Sequence, residues 1–150
     1  MGRYEEAARE FHAATEAGAT GAEAYGNLGD AYRQMGRARE ARGAYGRAIE
    51  LAEERLLVNP KDAIMRAGLA MFLAGSGRCP DARREIRTAG VSPAPEVQYY
   101  AAVASAICGD RSEAVGHALR ALEGGSVADI RTNPDLRGVR EDPAVRRRLK

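Results

Sequence analysis

Tryptophan is absent from this 150-residue chain, phenylalanine occurs twice, and Lys61 and Lys150 are its only lysines. With so few large rings, a core has to come from close helix contacts over alanine and glycine. No apolar run approaches the roughly 20 residues that a membrane-crossing helix needs. The N-terminal stretch MGRYEEAAREF carries acidic residues where a secretory leader would be apolar. Glu6 stands where a myristoylation signal has Ser or Thr. The net charge of +2 excludes a global field that would draw the chain to nucleic acid or membrane. These absences lead to an expected cytoplasmic location, with no nucleic-acid and no membrane partner. Cysteine is scarce too: Cys79 and Cys108 fall in neighbouring repeats, which leaves a disulfide open, but free thiols are expected.

What the chain does have is repetition. Ala7, Ala41, Ala82 and Ala114 recur at steps of 34, 41 and 32 residues (7 to 41, 41 to 82, 82 to 114). Four residues after each stand Phe11, Tyr45, Ile86 and Ala118, and three further on Ala14, Ala48, Ala89 and Ala121. A glycine precedes each by five positions: Gly2, Gly36, Gly77 and Gly109. A period near 34 with small–bulky–small spacing predicts a stack of helix pairs.

The second copy is the most complete. Tyr25, Leu28, Gly29 and Tyr32 share one helical face at i, i+3, i+4 and i+7. Gly36 ends that helix, and Ala41, Tyr45 and Ala48 set the next against it. In the third copy Leu69, Ala70 and Leu73 take the equivalent places, with Arg66 where an aromatic is usual. In the fourth, Ala101, Ala102 and Ser105 do so. The 41-residue step places seven extra residues in IELAEERLLVNP, where Ile49, Ala52, Leu56 and Leu57 keep helical spacing. Two extra turns on that helix are expected, packing on a neighbour rather than forming a ledge, with a break at Asn59-Pro60.

The ends differ from the middle. The first copy, residues 2–20, offers only the second helix of a pair, so Tyr4, Ala7, Ala8 and Phe11 are expected to be partly uncovered. Either a longer protein continues the stack, which is the preferred reading, or that face meets another molecule. After Gly124-Gly125, a helix stop, Asn133-Pro134 and Asp142-Pro143 each pair an N-cap side chain with proline at the first helical position. They predict two short helices carrying Leu136 with Val139, and Val145 with Leu149, as a cap over the last apolar face. Arg146, Arg147, Arg148 and Lys150 are expected to form a solvated terminus.

The pattern aromatic-x2-Leu-Gly-x2-Tyr followed by Ala-x3-aromatic resembles the tetratricopeptide repeat over residues 2–125. The resemblance implies a right-handed α-solenoid of antiparallel helix pairs: one domain over residues 1–150, with repeats at 21–60, 61–94 and 95–125 and a helical cap at 126–150. The segments RAIELAEERLLVNPKD, ALEGGSVADI and TNPDLRGVREDP resemble the repeat regions attached to bacterial eukaryotic-like serine/threonine kinases and related signalling proteins. That implies the repeat arm of a larger signalling protein, although no kinase motif stands in this chain. The resemblance further implies a concave groove, lined by each repeat's first helix, that grips a peptide or protein segment. By position, Glu23, Asn27, Asp30, Arg33 and Gln34 fall on it from the second copy, Ile64 and Met71 from the third, and Glu96, Tyr99, Tyr100 and Val103 from the fourth. The Lys/Asn set with which some relatives clamp a terminal carboxylate is not matched: Gly26, Asp30, Gly68, Glu96 and Tyr100 stand there instead.

No catalytic constellation competes with this reading. His12 and His117 are isolated, and a metal site needs three or four converging ligands. His117 with Cys108 lacks an orienting third group. Glu5, Glu6, Glu53 and Glu54 come in adjacent pairs that diverge by about 100° on a helix. The expected function is therefore non-catalytic and without cofactor: a protein–protein interaction scaffold for a protein or peptide partner. The alternative is a self-association element acting through Tyr4, Ala7 and Phe11 on the unpaired first helix.

Overall fold

The computed structural model describes residues 2–16 and 21–150. Among these residues the chain is helical throughout, with no strand. Helix α1 spans Gly2–Glu16, α2 Ala22–Gln34, α3 Ala38–Val58, α4 Ala63–Gly75, α5 Cys79–Ala89, α6 Pro95–Ile107 and α7 Arg111–Glu123. The expected continuation of the first helix over residues 17–20 lies outside the described residues. Consecutive helices pack against each other from α1 to α7, and α4 also packs against α6. The result is a helical solenoid, with α2, α4 and α6 on one layer and α3, α5 and α7 on the other.

One turn form is reused four times. Gly36, Gly77, Gly109 and Gly125 adopt positive φ, from 75° to 99°, which only glycine takes without a Cβ penalty. The amide after each glycine donates back to the carbonyl five residues earlier, as in Arg37 to Tyr32 at 2.9 Å and Arg78 to Leu73 at 2.8 Å. That is the Schellman arrangement, and it satisfies carbonyls orphaned at each helix end. Gly2 departs from its expected role as a turn glycine, because it begins α1.

Packing follows the small–bulky–small pattern. Tyr45, 1% exposed, lies with its ring against the backbone of Gly29 on α2 and of Gly75 on α4. A Cβ at Gly29 would stand 2.7 Å from the ring, and one at Gly75 2.4 Å from it. Phe72 lies equally close to Gly26. Arg66, at the usual aromatic position, is held instead by Glu85 at 2.9 Å and the Pro60 carbonyl at 2.8 Å. On helix α1 Ala8 is buried, whereas Tyr4, Ala7 and Phe11 are half-buried, with Ala7 and Phe11 packing on Leu28 and Ala31 of α2.

The long α3 uses its extra turns for packing. Ile49, Ala52 and Leu56 are buried in the main core cluster, whereas Leu57 and Val58 are 83% and 88% exposed. Leu57 therefore does not join the apolar face. Ala48 and Ile49 are buried side by side earlier in α3, but near its C-terminal end the packed stripe is narrower and covers Leu56 alone.

Two expectations are corrected here. Cys79 at the start of α5 and Cys108 at the C-cap of α6 are joined in a disulfide, with Cα atoms 5.7 Å apart. Stacking places the start of one outer helix beside the end of the next inner helix, so the two thiols meet. The bond overturns the free-thiol expectation. The cap is also richer than the two proline signals indicated. Helix α8 (Val127–Thr132), a 3-10 turn (Pro134–Leu136), α9 (Arg137–Arg140) and α10 (Pro143–Arg148) follow α7. Asn133 accepts from the Asp135 amide and Asp142 from the Ala144 amide. Ile130, Leu136, Val139 and Val145 are buried, closing the end of the stack as repeat physics requires.

Candidate binding groove

The inner helices and the cap enclose an open cavity of about 420 Å³. Helix α2 contributes Glu23, Asn27 and Asp30 to its wall; α4 contributes Ile64 and Met71, backed by Met65 and Phe72. From α6 come Glu96, Tyr99 and Tyr100, with Val103, 3% exposed, forming part of the floor. Periodicity explains this grouping. Asn27 and Asp30, or Glu96 and Tyr100, stand three or four residues apart and so share a helix face. The Tyr100 hydroxyl donates to Glu96 at 3.1 Å, and the Tyr99 and Tyr100 ring centroids are 5.6 Å apart.

Arg33 and Gln34 do not line the cavity. They turn to Asp135 in the cap, 102 and 101 residues away along the chain. The Arg33 fork donates to both Asp135 oxygens, at 3.0 and 2.6 Å, a bidentate charge-assisted pair. Gln34 adds a third donor at 3.3 Å. Asn133 donates to the Tyr99 hydroxyl at 2.8 Å, tying the cap to α6 as well. Asn133 and Asp135 therefore belong to the groove wall. The Asn-Pro-Asp signal indicated only a helix start, and nothing local indicated that it would cross to α2.

Behind Arg33 runs a polar relay into the core. Arg33 Nε donates to the Tyr45 hydroxyl at 3.0 Å, and that hydroxyl donates to Asp30. Burial pushes the Tyr45 phenol up, helped by the negative charge of Asp30. Burial likewise raises the Asp30 carboxyl to about 6, against the lowering pull of the Tyr45 hydrogen bond and Arg33. The Asp30 side chain still keeps 49% of its surface open. Water screens it, and the rise governs its charge state more than the fold's stability. Tyr100 is pushed up to about 12 by burial and then by Glu96.

The self-association candidates Tyr4, Ala7 and Phe11 line a smaller recess beside Asn27, Asp30 and the cap segment 133–135. Elsewhere, His117 is hydrogen-bonded to buried Gln98 at 2.8 Å. The Gln98 amide in turn donates to the Gly90 and Ser92 carbonyls. This cluster pins the loop between α5 and α6. With Cys108 in a disulfide, His117 and Cys108 form no nucleophile pair. Among the described residues no group of three or more His, Cys, Asp or Glu is placed to hold a metal. No described helix is long and apolar enough to cross a membrane. Arg146, Arg147, Arg148 and Lys150 are exposed.

A comparison with curated proteins found no match to this chain. Residues 22–55, which cover α2 and most of α3, match the family model of the tetratricopeptide repeat. That match, with helix pairs continuing through α7, supports a tetratricopeptide-repeat protein, a class of scaffold that generally binds protein partners.

Proposed function

We propose that this chain is a non-catalytic scaffold that holds a peptide or protein segment of a partner in the groove between α2, α4 and α6, as the repeat arm of a longer signalling protein. The observation that carries the binding reading is the groove floor. Ile64, Met71, Tyr99 and Tyr100 come from two different repeats and bound one open cavity. Met is adaptable and Tyr presents a large contact area at low ordering cost, which together suit an anchor residue of a partner. The signalling-arm part rests on the resemblance of the long-helix repeat and the two cap phrases.

The alternative, self-association through Tyr4, Ala7 and Phe11, has less free surface to work with. Helix α1 already spends Ala7, Ala8 and Phe11 on α2. Sedimentation equilibrium of the full chain, alone and after Tyr4→Ser, tests it. A monomer in both cases leaves groove binding as the function. A dimer lost in Tyr4→Ser and kept in Tyr100→Ala favours the alternative. Photo-crosslinking from position 100, with exposed position 39 as control, tests the groove reading. A partner segment crosslinked from 100 and not from 39 supports it, and equal labelling from both refutes it.

A further inference from the structure

We infer that the groove's occupant is a cationic segment of a partner protein, in which Lys or Arg side chains flank a large apolar residue. The inference rests on the groove reading above and adds the chemistry of the ligand. Four carboxylates line the cavity, Glu23, Asp30, Glu96 and Asp135, and no lysine or arginine is among its lining residues. In a chain whose net charge is +2, this concentrates negative charge around one cavity. Such a cleft focuses the field and favours ligands of the opposite sign.

The nearest guanidiniums do not reverse that sign. Arg55 meets Glu23 at 3.2 Å as an exposed pair. Arg33 is fully engaged, with both fork nitrogens on Asp135 and Nε on the Tyr45 hydroxyl. A ligand carboxylate would find no free fork and would have to displace Asp135. Four carboxylates against two guanidiniums leave the site net negative, and it stays so with Asp30 protonated.

The apolar part of the site fixes the other half of the ligand. Ile64 is 42% exposed, and Met71 and the Tyr99–Tyr100 pair complete an apolar floor between the acidic walls. Tyrosine faces also attract cations, which adds to the carboxylates rather than opposing them. Acidic walls around a Met- and Tyr-bearing floor complement a basic segment with an apolar anchor.

The test uses the full chain and fluorescence anisotropy with three labelled synthetic peptides of about 15 residues. One combines Lys/Arg with Leu, one Glu with Leu, and one Lys/Arg with Ser. The Lys/Arg–Leu peptide is expected to bind about 10-fold or more tightly than the other two, and more weakly as salt rises. Glu23→Gln with Glu96→Gln removes two exposed carboxylates and is expected to weaken it about 3- to 10-fold, in line with modest exposed ion pairs. Tyr100→Ala is expected to weaken any groove ligand. Tighter binding of the Glu–Leu peptide, lost in Tyr100→Ala, would overturn the cationic assignment and leave the groove intact. Equal binding of the Lys/Arg–Ser peptide would overturn the apolar anchor. Cationic binding indifferent to both sets of substitutions, or no binding by any peptide, would overturn the inference and the groove reading together. Circular dichroism of each variant confirms that it is folded.

Discussion

Alanine substituted for glycine should change the stability of this protein in opposite directions at two sites of one helix pair. In a helix interior the exchange is worth about 1 kcal/mol in favour of alanine. At Gly43 on α3, an added Cβ meets nothing within 4 Å, so the propensity gain stands alone. At Gly29 on α2 the same Cβ would lie 2.7 Å from the Tyr45 ring. The ring cannot step aside. It is 1% exposed, Gly75 presses on its hydroxyl end, and its hydroxyl is bonded to Asp30 and Arg33. Overpacking of this kind costs about 1–3 kcal/mol, which exceeds the propensity gain. Gly43→Ala should raise Tm by about 2–4 °C and Gly29→Ala should lower it by a similar amount or more. Gly75→Ala should cost at least as much, because its Cβ would also lie 2.7 Å from the Tyr45 hydroxyl and disturb the relay behind the groove. Urea and thermal unfolding followed by circular dichroism read all three variants. If Gly29→Ala and Gly43→Ala shift the midpoint the same way, the close approach around Tyr45 is not what shapes this repeat.

Further outcomes follow from the same contacts. Reduction of the Cys79–Cys108 bond, which joins residues 29 apart, should destabilise the chain by about 2–4 kcal/mol. Urea midpoints with and without dithiothreitol measure that loss, and two titratable thiols in native, unreduced protein would contradict the bond. A double-mutant cycle on Arg33→Gln and Asp135→Asn should give a coupling of about 1–3 kcal/mol, since the pair is charge-assisted and partly buried; a coupling near zero would mean the cap does not lean on α2. The Asp30 carboxyl, raised to about 6 from an ordinary value near 4, should favour the folded state when protonated. That contribution is full below about pH 4 and disappears as pH rises through about 6. Carbon-detected NMR of Asp30 should show the raised midpoint. His117, lowered by burial and then by Arg120, acts in the opposite sense, losing stability as pH falls through its folded pKa, so the two need separate readouts.

Much of this architecture is local and therefore legible in one chain. Helix faces repeat every 3.6 residues, so Asn27 with Asp30, and Glu96 with Tyr100, were bound to share a side of their helices. A tight turn after Met35, Ser76 or Cys108 required a residue tolerant of positive φ, which marks Gly36, Gly77 and Gly109 in the sequence. The spacing of Ala41, Tyr45 and Ala48 announced the helix pairing in the same way. The remainder depended on how helices stack in three dimensions. Whether Leu56 or Leu57 faced the core was decided by the neighbour of α3, and Cys79 met Cys108 because two helix ends converge. Asp135 reached Arg33 across 102 residues because the 3-10 turn of the cap packs on α6, which brings it within reach of α2. That meeting depends on the packing of every helix in between, and no single stretch of sequence encodes it.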